Sequence, residues 1–524
     1  MIVSMAPGAS GGFCSADSNR TPARHDLTTP PIELGEHPLT LSDLHAVARQ
    51  SARVTTHPAV RTRLETARAT VMKLASSGES IYGLTSALGA NTGARLDAPS
   101  AYQTDAVRAR SVAIGPPLPT DVVRATMFAR LAGLRVGGSG ISPSAFDALA
   151  AMLNAHVHPI VPGWGSISVA DLGPLSALAL PLLGEGRAEF RGNEMTAEDA
   201  LKQAGLEPAS LGPKDGLALI SSNAATVGSA AMMLVDVAAA LAALEHAASL
   251  SLEGFRANLS PFDPRMQSAR PAPGQTAAAD RMLTLLDGSA LLERGNARRV
   301  QDPLSFRCIA QVHGAAHATW DSCREQIELE LNSAADSPLV LESGEMLSNG
   351  NFHIPALAIA LESLGLALAQ CAAMSVERSV KMLSPSMTGL PLHLTLHGPA
   401  HSGFATVQKT LTALYNRIRH LANPCCLDFL PVSESIEDHA TMAMNVVDKT
   451  RAMIDPIVYI AAIEALIGAQ AVDLRGEALP REALGVAPRA LREALRGRVP
   501  MLDHDRPVGP DIEIAADVLR ALVG

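Results

Sequence analysis

Residues 225–253 read ATVGSAAMMLVDVAAALAALEHAASLSLE. Small and apolar side chains cover nearly every face of the helix this stretch predicts. Residues 354–380 and 452–472 repeat the pattern, long, rich in Ala and Leu and apolar nearly all round. Their length is close to that of a membrane span. Against a span, Asp236, Glu245 and His246 lie within the first stretch, Glu362 within the second, and Asp455 and Glu464 within the third. Charges at such depth are costly in lipid. Helices apolar on most faces are otherwise found at the centre of a large bundle, where Ala allows close approach. The three stretches therefore predict a buried helical bundle and no membrane partner.

Composition agrees. The 524 residues carry 42 Lys and Arg against 52 Asp and Glu, a net charge of −10. That balance, with no basic block, argues against nucleic acid as a partner. Two Trp, four Tyr and ten Phe are too few for base-stacking platforms or an all-β sandwich. A chain of this length buries an ample core without disulfides or a structural metal. The six cysteines (Cys14, Cys308, Cys323, Cys371, Cys425, Cys426) form no CxxC pair and read as free thiols. His397-Gly-Pro-Ala-His401 has metal-like spacing, but Gly-Pro breaks the helix that would align the two imidazoles, so no metal is expected.

Residues 1–35 are expected to be a disordered extension, rich in Gly, Ser, Pro and Thr, with Met5 an alternative start. They lack the apolar core of a secretory signal, which points to the cytoplasm. An amphipathic helix starts near Leu39, with Thr40 or Ser42 available as N-cap. The remaining divisions are a helical and loop region over 36–215, the central bundle over 216–475, and amphipathic C-terminal helices over 476–524.

The loops are the most informative passages. Tyr82-Gly-Leu-Thr-Ser-Ala-Leu-Gly89 is followed by Ala-Asn-Thr-Gly93. Then come Gly163-Trp-Gly-Ser-Ile-Ser-Val-Ala-Asp-Leu172, Val300-Gln-Asp-Pro-Leu-Ser-Phe-Arg-Cys308, Ser348-Asn-Gly-Asn-Phe-His353 and Ser435-Ile-Glu-Asp-His439. In type and order these five motifs resemble signatures of the histidine/phenylalanine (aromatic amino acid) ammonia-lyase family. Connectors such as Leu153-Asn-Ala-His-Val-His-Pro159 and Lys214-Asp-Gly-Leu-Ala-Leu-Ile220 resemble it too, so the likeness spans residues 38–524. It implies an all-α, aspartase-like ammonia-lyase fold with a central bundle of long helices. It also implies a homotetramer whose active sites are shared between subunits, and removal of ammonia from an α-amino acid.

Family chemistry rests on an electrophilic 4-methylidene-imidazol-5-one made from an internal Ala-Ser-Gly triad just before Asp-Leu. Here Ser168-Val169-Ala170 precede Asp171-Leu172, and the loop is one residue shorter than the family pattern. With Ser168 at the centre, the third residue is Val169, whose β-branch resists the tight turn that glycine permits. The expectation is that the group is absent and that the chain has no cofactor. Val112 and Leu304 stand where the family has a histidine and a tyrosine, and Ser221-Ser-Asn223 replaces Asn-Gly-Thr.

Other positions match. The resemblance implies Tyr82 as catalytic base, Glu437 as the acidic group near the substrate amine, and Arg307 as carboxylate binder. Gln301, Asn332, Val112, Leu304, Ser221 and Leu341 are the remaining candidate substrate contacts. Ser168 has no evident His–acid partner as a nucleophile. A free tyrosine titrates near pH 10, so a tyrosine base needs donors or positive charge beside it. The leading expectation is a prosthetic-group-independent lyase or cyclase, catalysing elimination, conjugate addition or cyclisation on a small carboxylate or carbonyl compound in specialised metabolism. The alternatives are a conventional histidine or aromatic amino acid ammonia-lyase or aminomutase, and a non-catalytic protein that binds a ligand or partner.

Overall fold

The structure is a computed structural model that describes residues 29–91, 93–476 and 483–523. Four long helices form its centre: Ala224–Phe255, Ile309–Leu331, Pro355–Met382 and Ala443–Arg475. Ala443–Arg475 packs along Ala224–Phe255 and also against Pro355–Met382, which in turn meets Ile309–Leu331. A shorter buried helix, Thr120–Leu134, lies on the other side of Ala224–Phe255. Small residues set that approach: a Cβ on Gly228 would come within 2.6 Å of the Thr126 amide nitrogen. The all-α expectation holds. Strands are few and short, and serve loops, as in the antiparallel pair Ile114–Pro117 with Pro162–Trp164.

The three apolar stretches become Ala224–Phe255, Pro355–Met382 and Ala443–Arg475. The last starts earlier than 452 because its first turns carry Asn445, Asp448 and Lys449, which an apolar pattern overlooks. These helices have the length and mean hydropathy (1.7 to 2.0) to cross a membrane. Here they pack together around paired charges. Arg378 and Glu464 are both fully buried, with Nε to Oε1 at 2.6 Å and Nη2 to Oε2 at 2.9 Å; the Ser375 hydroxyl donates to the same carboxylate. Arg130 similarly pairs with Asp336 at 2.7 Å, both buried.

The first helix begins at one of its two candidate caps. Thr40 caps Leu41–Arg49 in a capping box, its hydroxyl accepting from the Asp43 amide while Asp43 accepts from the Thr40 amide. The expected N-terminal extension falls mostly outside the described residues, as does Met5. Its last part does not fit the expectation, because Ile32–Leu34 is a strand paired in parallel with Val54–Thr56. The boundaries at 215 and 475 do not separate cores: one apolar cluster runs from Leu34 to Leu519. The described cysteines are all free, and burial pushes the Cys323 and Cys371 thiols up to about 12.

The Arg378–Glu464 pair ties the bundle to the loops above it, since Arg378 Nη1 also donates to the Ser305 carbonyl at 3.1 Å. Removing one member strands a buried charge. Arg378→Ala should cost about 3–5 kcal/mol in urea or thermal unfolding, whereas apolar replacement of both partners should cost less than either single change.

Candidate active site

The segment after Trp164 turns sharply twice, with Ser168 at φ 55° and Ala170 at φ 54°, before the helix Leu172–Ala179 begins. Asp171 holds this turn. It is fully buried, and accepts from the Ser166 hydroxyl at 2.6 Å, the Thr226 hydroxyl at 2.8 Å and the Thr226 amide at 2.7 Å. Burial raises its carboxyl above the usual range, against the effect of these three donors. Thr226 lies in the first turn of Ala224–Phe255, so the loop is fastened to the central bundle.

Ser168 belongs to the same network. Its hydroxyl accepts from the Met444 amide at 2.9 Å and lies 3.0 Å from the Thr226 hydroxyl, which itself donates to Asp171. Its amide donates to Ser166 Oγ at 2.9 Å and its carbonyl accepts from the Thr441 hydroxyl at 3.1 Å. With no exposed surface and these partners, Ser168 is held as a structural hydroxyl. Val169 forms a bridge to His353, and the Ala170 carbonyl accepts from the Leu172 amide. The segments 166–171, 222–226, 352–353 and 441–444 therefore meet at one place. Beside them opens a cleft of about 510 Å³, lined by Trp164, Gly165, Ile167, Met442, Asn445 and Lys449 among others.

Two histidines that sequence reasoning left without a role also meet here. His353 Nε2 lies 2.8 Å from His439 Nδ1, within hydrogen-bonding distance. Burial and the neighbouring His439 lower the pKa of His353. Their motifs, Asn351-Phe-His353 and Ser435-Ile-Glu-Asp-His439, lie far apart in sequence, and no local pattern signals the pairing.

Tyr82 sits in a tight loop that needs Gly83 at φ +67°, where a Cβ would strike Leu217 at 2.4 Å. The Gln103 side chain clamps this loop by donating to the Gly83 carbonyl at 3.1 Å. The Tyr82 phenol oxygen accepts from the Gly89 amide at 3.0 Å, a donor suited to supporting charge on that oxygen. Arg307 ends the short helix Leu304–Arg307, and its two terminal nitrogens donate to the Gln301 side-chain oxygen at 2.8 and 3.0 Å. Phe306 stacks on Phe255 at 4.0 Å between ring centres and fixes that helix to the bundle. Glu437 lies in the reversal where Val432 and Glu437 pair through their backbones. The hydrogen bonds of Tyr82 and Arg307 thus stay within their own loops.

The other candidates divide. Val112 and Leu304 are largely exposed, at 69% and 60%, free to line a pocket. Ser221 is buried at the end of Asp215–Ile220. Its neighbours make the contacts, Ser222 through its carbonyl to the Asp171 amide and Asn223 through its side chain to the Phe352 carbonyl. Asn332 is spent as a brace, bonding both backbone groups of Leu39 and the Arg135 guanidinium. Leu341 lies in a turn, its amide bonded to the Glu345 carbonyl.

A bundle of long helices carrying a Tyr-Gly loop and an Asp-anchored turn defines the ammonia-lyase class of fold. Residues 39–497 match the family described as aromatic amino acid lyase. The chain belongs to that family and is a C–N lyase. It is 38% identical to a histidine ammonia-lyase of Anaeromyxobacter sp., over 92% of this chain and 97% of that one. It is 36% identical to a histidine ammonia-lyase of Symbiobacterium thermophilum, over 93% and 96%. Among solved structures it resembles the ergothioneine-degrading enzyme ergothionase of Treponema denticola, with a TM-score of 0.91 and 32% identity over 94% of this chain and 99% of that one.

These likenesses correct two expectations. The chain was expected to have left amino acid chemistry for prosthetic-group-independent cyclisation or conjugate addition, and to carry no cofactor. End-to-end similarity to histidine ammonia-lyases overturns the first and favours the conventional lyase. The second falls with it, because the family now shown is one that uses methylidene-imidazolone. The loop itself nevertheless does not fit the group's precursor. No Ala-Ser-Gly stands within residues 163–172, the Ser168 hydroxyl is already bonded, and Val169, the third residue when Ser168 is central, is in a bridge to His353.

Asp171 should be the sensitive point of the loop. Asp171→Ala leaves three buried donors without their acceptor and should cost on the order of 3 kcal/mol, together with most of the activity. Ser166→Ala removes only one donor and should lower the unfolding midpoint much less.

Proposed function

We propose that the protein eliminates the α-nitrogen from an imidazole-bearing α-amino acid, either histidine or a derivative modified on the ring or on that nitrogen. The observation that carries this reading is full-length similarity to histidine ammonia-lyases, together with the likeness to an enzyme that degrades ergothioneine, the betaine of 2-thiohistidine. Both named substrates share an imidazole-type ring, a β-methylene and an α-carboxylate.

Chemically, the β-proton is removed, the C–N electron pair leaves with nitrogen, and a double bond forms between the α and β carbons. A primary amine leaves as ammonia and takes up the proton as ammonium. A trimethylated nitrogen leaves as trimethylamine, which likewise takes up the proton as trimethylammonium. Tyr82 is the base, its oxygen supported by the Gly89 amide. Arg307 holds the substrate carboxylate, exchanging its bonds to the exposed Gln301 for that bidentate partner. Glu437 faces the departing nitrogen, and Val112 and Leu304 receive the ring.

We infer that the working form is a homotetramer that completes each site from several subunits. In the single chain, Ile359 and Leu366 on Pro355–Met382 expose apolar surface, and so do Leu427 and Leu430 in the loop before Glu437. Light scattering should return the mass of four chains.

Histidine should yield a product absorbing in the near ultraviolet, identified as the imidazolylacrylate, and ergothioneine the corresponding 2-thioimidazolylacrylate. Turnover of phenylalanine or tyrosine alone would overturn the imidazole assignment. Tyr82→Phe should lower kcat about 100-fold or more with the assembly intact. Arg307→Gln should act mainly by raising KM.

A further inference from the structure

The pair His397 and His401 is separated by Gly-Pro, which rules out one helix face. The structure joins them another way. Gly398–Ala400 forms a single 3-10 turn that folds the two rings to 4.8 Å between centroids. A distant loop brings His504 to 4.3 Å from His397 and 5.5 Å from His401. Asp503 stands between, one carboxylate oxygen 3.0 Å from His397 Nε2 and the other 3.1 Å from His504 Nδ1.

We propose that His397, Asp503 and His504 form a binding site for a divalent transition metal, with zinc the best match and His401 available as a fourth ligand. Donor atoms of the three residues lie within 4.8 Å of one another. Around a tetrahedral zinc with bonds of 2.0–2.1 Å, neighbouring donors are about 3.3 Å apart. The two observed nitrogen–oxygen separations, each to a different oxygen of Asp503, are already close to that. Imidazole nitrogen with carboxylate oxygen selects zinc and its neighbours over calcium or magnesium, which prefer all-oxygen shells.

The two loops are preorganised. Gln470, buried in Ala443–Arg475, donates to the carbonyls of Leu394 at 3.2 Å and Leu502 at 3.0 Å, and accepts from the Leu502 amide at 3.0 Å. One buried side chain thus fixes the chain just before His397 and just before Asp503. On the far side Asp505 accepts from the amides of Ser402 and Gly403 at 2.8 and 2.9 Å. Supporting contacts of this kind, holding ligands in place before metal arrives, distinguish a site from a chance meeting of surface groups. The site is separate from the loop anchored by Asp171. Its effect is to staple the chain preceding the last helix, Gly509–Val523, to the bundle.

The test uses full-length, untagged protein freed of metal with a chelator. It is titrated with zinc by calorimetry and with cobalt by visible absorption. The expected result is one ion per chain and a rise in unfolding temperature with zinc. His504→Ala and Asp503→Ala should each weaken binding about tenfold or more and lose that rise, with lyase turnover unchanged. His397→Gln should do the same, guarding against a folding defect in any one variant. Equal binding by wild type and all three variants, or no saturable binding by the wild type, would overturn the proposal.

Discussion

The buried carboxylate of Asp171 accepts three hydrogen bonds, two of them from Thr226 in the first turn of the central helix Ala224–Phe255. That contact decides where the 166–171 turn lies. The turn carries two residues at positive φ, a cost of about 1–3 kcal/mol each that persists only where surrounding contacts fix it. Once fixed, it offers Ser168 to the Met444 amide, Ile167 to the Met442 amide and Val169 to His353. Segments from four parts of the chain take their positions from one carboxylate.

Rigidity reaches the site from below by a second route. The Arg378–Glu464 pair is closed between two helices of the bundle, and the spare guanidinium nitrogen holds the Ser305 carbonyl. The short helix Leu304–Arg307 is then fixed by Phe306 on Phe255. A buried pair of this kind contributes little net stability over an apolar replacement, so its value here lies in geometry. It sets the place from which Arg307 reaches outward. Tyr82 is positioned independently, by Gly83 and the Gln103 clamp. Tyr82 and Arg307 thus each have their own mechanical support.

Much of this was legible in the sequence. The apolar runs marked three of the four bundle helices, because burial on every side leaves a compositional trace that needs no knowledge of partners. Thr40 and Ser42 were the two N-cap candidates at the first helix, a purely local signal, and Thr40 is the cap. The ordered loop motifs carried the family. What sequence could not supply was contact across long separations. The His353–His439 pair and the service of Asn332 as a brace to Leu39 each depend on how distant segments pack. The same holds for the approach of His504 to His397. The error about function had another source: too much was drawn from a missing triad, although matched positions extend over nearly the whole chain.

We propose that Arg307 and Tyr82 flank an imidazole-bearing substrate beside the Asp171-anchored loop. A crystal structure of the assembled protein with the imidazolylacrylate product bound tests it most directly. The product carboxylate is expected on Arg307, the β-carbon facing the Tyr82 hydroxyl, and the ring against Val112 and Leu304. Product seated away from both Tyr82 and Arg307 would contradict it.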